Sequence, residues 1–122
     1  MRLDSAVTSA VFSPDGDTLY TAGRDKVINI WRLPTGTLVR TIPVYEAVES
    51  MAVLPSLAAA SASLVPVAEE YRKEHAHEPH LLTGGDRGLI RVWNATTLKC
   101  VYTYTLDPDK QGTVWRSLFF GA

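Results

Sequence analysis

Phe12-Ser13-Pro14-Asp15-Gly16-Asp17-Thr18-Leu19-Tyr20-Thr21-Ala22-Gly23-Arg24-Asp25-Lys26-Val27-Ile28-Asn29-Ile30-Trp31 is the stretch from which the fold is read. Proline presets φ, aspartate bonds its own backbone and glycine tolerates φ > 0, so Pro14, Asp15 and Gly16 predict a turn after an apolar run. Residues 18–22 then read as a short strand, 23–26 as a second tight turn, and 27–31 as a β-branched run closed by an aromatic. The result is an antiparallel meander. The same grammar returns at Leu81-Leu82-Thr83-Gly84-Gly85-Asp86-Arg87-Gly88-Leu89-Ile90-Arg91-Val92-Trp93-Asn94, and Thr21 through Trp31 lies on Thr83 through Trp93 without a gap. The chain is a repeat.

Working outward, residues 6–12 carry apolar groups on both alternating sides, the pattern of an inner strand covered on both faces. After Trp31, Arg32-Leu33-Pro34-Thr35-Gly36 reads as a third turn, and residues 37–42 mix apolar with polar positions as an outer strand does. A second unit opens at residues 47–54 and resumes at 81–83, 89–93 and 98–106, with 95–97 as its last internal turn. Trp31 and Trp93 are 62 residues apart. The excess over one repeat lies in residues 55–79, an insertion. Its first half is a small-residue tract with little to bury, which predicts a disordered surface loop. Its second half has the composition for one or two helical turns, with Glu70 and Glu74 repelling at i, i+4. The expectation for the whole is a mobile insertion at a blade edge. Residues 107–112 read as a connector and 113–120 as one more inner strand.

These residues resemble the WD-repeat family, whose units of roughly 40–45 residues are four-stranded β-propeller blades. Ser13-Pro14-Asp15-Gly16, Asp25 and Trp31 carry the likeness. It implies an all-β fold, a WD-repeat β-propeller fragment of two four-stranded antiparallel blades plus the first strand of a third. Residues 6–43 form one blade, 44–106 the next with its insertion at 55–79, and 107–122 a connector and the opening strand. Propellers close with 4–8 blades, and two leave apolar faces uncovered, so a piece of a longer chain is expected. Within the family, the turn aspartate and strand-end tryptophan join a network with a middle-strand Ser or Thr and the His of a Gly-His dipeptide. The corresponding structural residues here are Asp25 and Trp31, then Asp86 and Trp93. Pro43 and Val44, and Arg2 and Leu3, occupy the Gly-His positions, so that network lacks its histidine. Trp31 is followed by Arg32 and Trp93 by Asn94, while Arg87 stands where Asp25 does and the carboxylate moves one place earlier. Removing the Asp25 carboxylate is expected to loosen its turn by roughly 1–2 kcal/mol through unpaired amides.

Composition narrows the function. In 122 residues, twelve Lys and Arg against thirteen Asp and Glu give a net charge of −1, so no global field favours nucleic acid or anionic membrane. No run approaches the ~20 apolar residues of a membrane helix, and the first residues lack the apolar core of a secretory signal. The one cysteine, Cys100, excludes an intrachain disulfide and reads as a buried, inert thiol in a reducing compartment. His75, His77 and His80 fall within six residues, yet a closed zinc site needs four ligands in fixed geometry, and the expected metal ligand set is none. Gly84-Gly85-Asp86-Arg87-Gly88 lacks the Lys-Ser/Thr of a nucleotide loop and precedes a strand, so a β-turn is the reading. No nucleophile has a positioned base and no carboxylate pair shares a pocket motif. The chain is expected to be no enzyme and to need no cofactor. Arg24, Lys26, Arg32, Arg40, Arg72, Lys73, Arg87 and Arg91 are scattered among acids, the pattern of a solvated mixed surface.

A narrower likeness runs through residues 22–31 and through Arg40-Thr41-Ile42-Pro43-Val44-Tyr45-Glu46-Ala47-Val48-Glu49. It is similar to the WD scaffolds of the small-subunit processome, and implies a nuclear and nucleolar subunit of the UTP-B subcomplex acting in pre-ribosomal RNA processing and 18S maturation. Its partners would be other UTP-B proteins, with small nucleolar and pre-ribosomal RNA met mostly indirectly, and neither membrane nor small-molecule substrate. The alternatives are a WD adaptor of a ubiquitin-ligase or signalling pathway, and a direct RNA-binding protein.

Overall fold

A computed structural model describes residues 6–54, 56–57 and 65–104. Strands β1 (Val7–Phe12), β2 (Thr18–Gly23), β3 (Val27–Arg32) and β4 (Thr37–Pro43) form one antiparallel sheet in that order. A second sheet, β5 (Val48–Val53), β6 (His80–Gly85), β7 (Ile90–Asn94) and β8 (Lys99–Tyr104), repeats it, with helix α1 (Glu69–His75) between β5 and β6. The two four-stranded blades expected from the repeat are present. The connector and third-blade strand expected at 107–122 lie outside the described residues.

The repeat extends to irregularities of pairing. Register shifts fall between Val7 and Ser9 against β2 and between Val48 and Ser50 against β6. They recur between Ile30 and Trp31 and between Val92 and Trp93. The turns match as well. Lys26 (φ 67°) and Gly88 (φ 80°) hold one left-handed position, and Gly36 (φ 68°) and Leu98 (φ 66°) another, so each blade spends its glycine at the turn where the other accepts a side chain. Gly23 and Gly85 are equivalent for a different reason. A Cβ at the first would run into the Ala6 carbonyl, and at the second into the Glu46 carboxylate.

The blades stack face to face, closest along β1 and β5. Between them lie Tyr20, Ile28, Ile30 and Ile42 from the first and Val48, Met51, Leu81 and Trp93 from the second. Ile28, Ile42, Val48 and Leu81 are 0 % exposed, and each such burial contributes about 1.5–3 kcal/mol. Polar ties reinforce the seam at both margins. Thr8 Oγ1 donates to the Val48 carbonyl at 2.5 Å, and the Arg40 guanidinium to the Thr96 carbonyl at 2.6 Å. Strand β1 differs from expectation, alternating half-buried with exposed residues and leaving Phe12 63 % exposed. Among the described residues one of its sides is covered, the side turned to the second blade.

The insertion departs further from its reading as mobile. Leu54, Leu57 and Val65 pack with Leu82, Ile90 and Val92 on the face of the second blade turned away from the first, with Val67 and Tyr71 against them. Leu57 and Val65 are almost wholly enclosed, so the small-residue composition concealed two apolar anchors. The Arg72 guanidinium reaches back to the carbonyls of Leu57 and Val65. The exposed Lys73–Glu69 pair at 3.5 Å adds little. Docking, rather than propensity, holds this two-turn helix.

Candidate functional site

Two polar arrangements organise the chain: the repeat-motif pairs inside each blade, and a knot that ties the insertion to the end of β7. In the first blade Trp31 Nε1 donates to Thr21 Oγ1 at 2.9 Å, and in the second Trp93 Nε1 donates to Thr83 Oγ1 at the same distance. Register explains the match, since the threonine faces the residue two before the tryptophan on the neighbouring strand in both sheets. The indole therefore finds its partner even where the family's histidine is missing. Trp93 and Thr83 are both buried, whereas Trp31 is half-buried.

The turn carboxylates behave otherwise. Asp25 is exposed, and among the described residues its carboxylate accepts no hydrogen bond. Backbone carbonyls satisfy that turn instead, Lys26 N donating to Gly23 O and Arg24 N to Ala6 O. The amides expected to depend on Asp25 do not. Asp86 is exposed too, and its amide donates to the Ala47 carbonyl at 3.0 Å. The carboxylate that does hold the second turn is Glu46, buried in the β4–β5 connector, which accepts from the Arg87 amide at 3.3 Å. It comes from an earlier segment, so turn position alone could not reveal it. Tyr45 beside it is 75 % exposed with φ 68°.

The knot is built on Asn94, fully buried where the family writes aspartate after tryptophan. Its Oδ1 accepts from the amides of Thr96 and Thr97 at 2.8 and 3.0 Å, shaping the β7–β8 turn. Its Nδ2 donates to the Tyr71 hydroxyl at 2.8 Å and to Glu78 Oε2 at 2.7 Å. An aspartate could supply the first pair of bonds and not the second. Tyr71 and His80 Nε2 share a hydrogen bond of 2.8 Å, while His80 Nδ1 lies 2.8 Å from the Glu78 carbonyl. Glu78 Oε1 meets His75 Nδ1 at 2.9 Å. Around them the Ala95 amide bonds the Pro79 carbonyl and the Leu54 amide bonds the His80 carbonyl, both at 2.9 Å.

Charge follows this geometry. Hydrogen bonds from Asn94 and then His75 hold the Glu78 carboxyl below its ordinary range, so it is ionised. Burial keeps His80 below the usual imidazole range, leaving it neutral, and burial likewise raises the Tyr71 phenol. The three histidines are thus divided: His80 buried in the knot, His75 on Glu78 and His77 exposed. Among the described residues no three His, Cys, Asp or Glu side chains are placed to hold a metal, and no helix is long and apolar enough to cross a membrane. Cys100, read as buried, is exposed because β8 is the outermost strand of its sheet. Of the scattered cations, Arg40 and Arg72 bind carbonyls as described. Arg91 donates to the Val44 carbonyl at 3.0 Å and lies 5.9 Å from the Trp93 ring.

Residues 3–32 match the family "WD domain, G-beta repeat". The human protein Transducin beta-like protein 3 is 41% identical over 104 residues, which cover 85% of this chain and 12% of that protein. COMPASS component SWD3 of Saccharomyces cerevisiae is 31% identical over 105 residues, covering 84% of this chain and 27% of the yeast protein. Among solved structures, that of U3-55K superposes with a TM-score of 0.60 at 21% identity, over 88% of this chain and 29% of its own. The chain spans about an eighth of the length of the human relative.

Proposed function

We propose that this chain, a WD-repeat chain folded as two adjacent propeller blades, serves as part of a non-catalytic scaffold of the small-subunit processome, in the UTP-B subcomplex of the nucleolus. Its work there is to position other processome proteins for pre-ribosomal RNA processing toward 18S, with small nucleolar and pre-ribosomal RNA met mostly through those partners. The likeness to Transducin beta-like protein 3 across most of the chain is the observation that carries this reading. The structure is consistent with it in kind. Rigid sheets present loops to partners, the polar side chains of the knot are spent on one another, and the net charge of −1 supplies no broad phosphate-binding field.

The test is affinity purification of the tagged full-length protein from nuclear extract. Co-purification of the other UTP-B subunits, together with accumulation of unprocessed 18S precursor on depletion, is the expected result. Recovery of a different complex without UTP-B subunits would sink it. The similarity to COMPASS component SWD3 favours one second reading, a WD component of a different multi-protein assembly, and the same purification separates the two.

A further inference from the structure

A groove of about 390 Å³ opens where the β1–β2 turn of the first blade faces the arm leading from α1 to β6, and its lining includes Asp15, Tyr20, Val53, Leu54 and Glu78. Tyr20 is 3 % exposed, its ring packed in the core between the blades. Among the described residues its hydroxyl has no hydrogen-bond partner. Every fully enclosed side-chain nitrogen or oxygen among those residues is partnered, so the Tyr20 oxygen is one that opens into the groove. A buried phenol with an open oxygen leaves a bond unmade.

The permanent charge beside it is acidic. Asp15 and Glu78 are the carboxylates of the lining, the exposed His77 is its one imidazole, and no lysine or arginine stands among them. Asp15 Oδ1 accepts from Ser13 Oγ at 2.5 Å and from the Asp17 amide at 3.0 Å, while Oδ2 takes no bond among the described residues. Those two bonds, Ser13 first, hold the Asp15 carboxyl below its ordinary range. Burial, then the Asp15 charge, raises the Tyr20 phenol, which keeps its proton. The groove is thus an apolar-walled slot between blades with a fixed anion at its mouth and an unsatisfied hydroxyl at its floor.

We propose that this slot takes an arginine side chain presented by an extended segment of a protein partner, with Asp15 Oδ2 as counter-ion, the Tyr20 oxygen as second acceptor, and Val53 and Leu54 against the aliphatic stem. A guanidinium fits because its several planar N–H donors reach two acceptors at once. The inference goes beyond the assembly reading and stands without it, since it rests on the groove alone.

The test uses full-length protein with labelled Val and Leu methyl groups, titrated by NMR with the blocked tripeptide acetyl-Ala-Arg-Ala-amide and its neutral citrulline counterpart. The Val53 and Leu54 methyls should move saturably with the arginine peptide and stay still with the citrulline one. Asp15→Asn, whose amide oxygen still accepts from Ser13 and Asp17, should weaken binding about tenfold, and Tyr20→Phe about fivefold. The methyl spectrum of each variant reports on its fold. Equal shifts with citrulline, methyls unmoved by either peptide, or unchanged affinity in a folded Asp15→Asn variant would overturn the proposal.

Discussion

The two blades share turns, bulges and a threonine–tryptophan bond, yet they finish the motif differently. The first leaves Arg32 exposed after Trp31, and the second buries Asn94 after Trp93. The departure from aspartate is a loss of pattern in one blade and a new contact in the other. What decides is the insertion. A carboxylate after Trp93 would face the ionised Glu78, whereas an amide donates to it and to Tyr71 while still shaping the β7–β8 turn. A missing consensus residue is therefore informative only once its neighbours are known.

The blades should respond most differently to a change at the apolar anchor of the insertion. Leu57→Ala should cost about 3 kcal/mol in the full-length protein, read as a lower denaturation midpoint and as lost amide-exchange protection in α1 before any loss in β1–β4. Uniform loss in both blades would mean that the insertion is not a separate docked unit. Next comes the restored consensus. Asn94→Asp should destabilise by about 2–3 kcal/mol, since it removes two donated bonds in a buried site and adds a like charge, while Arg32→Asp should change stability by less than about 0.5 kcal/mol. If the aspartate at 94 stabilised, the knot would be misread.

The tryptophan bonds sharpen the contrast further. Thr83→Val, which strands a buried indole, should cost about 2 kcal/mol, and Thr21→Val about 1 kcal/mol because Trp31 reaches water. Acid gives a graded effect. His80 has a depressed pKa in the folded chain, so the unfolded chain binds its proton first, and stability is lost as pH falls below about 6.5. Glu78, also depressed, contributes stability above its unfolded value that is lost as pH falls through its folded one. Between pH 7 and 5, where His80 is the group that acts, amide protection factors should therefore fall in α1 and β6 ahead of β2 and β3. Smallest of all is Asp25→Ala, expected to stay within about 0.5 kcal/mol, as denaturant titration would show. A cost near 2 kcal/mol would restore the motif's hydrogen-bonded aspartate.

Period-2 alternation, turn chemistry and the repeated Thr-to-Trp spacing were enough to read eight strands in two sheets, because those signals act within a few residues. The tryptophan half of the motif was legible for the same reason. The turn aspartates were not, because the amides of those turns are satisfied by backbone carbonyls, among them those of Ala6 and Ala47 from just before β1 and β5, a tertiary fact. Glu46 beneath the Gly85–Arg87 turn lies some forty residues earlier in sequence. The insertion misled through its average composition, which hid Leu57, Val65 and Tyr71 among alanines, serines and charges. A signal for it was present in the unusual Trp93-Asn94 pair and in a tyrosine amid a charged run, but only their meeting gives those residues meaning.

Placing the insertion between β5 and β6 also sets the order in which the sheets assemble. The innermost hairpin of the first blade closes with Leu19 seven positions beyond Phe12, whereas β5 waits for Leu81, 28 positions beyond Val53. A fourfold longer loop adds about 1.2 kcal/mol to closure, a modest thermodynamic term that becomes a delay when the chain emerges one residue at a time. Strands β6 to β8 are joined by short turns and can zip by neighbour contacts, so the pairing of β5 with β6 is expected to lag behind them. During that interval the apolar edge of β6 stands open, the moment at which this chain is most exposed to mispairing with another.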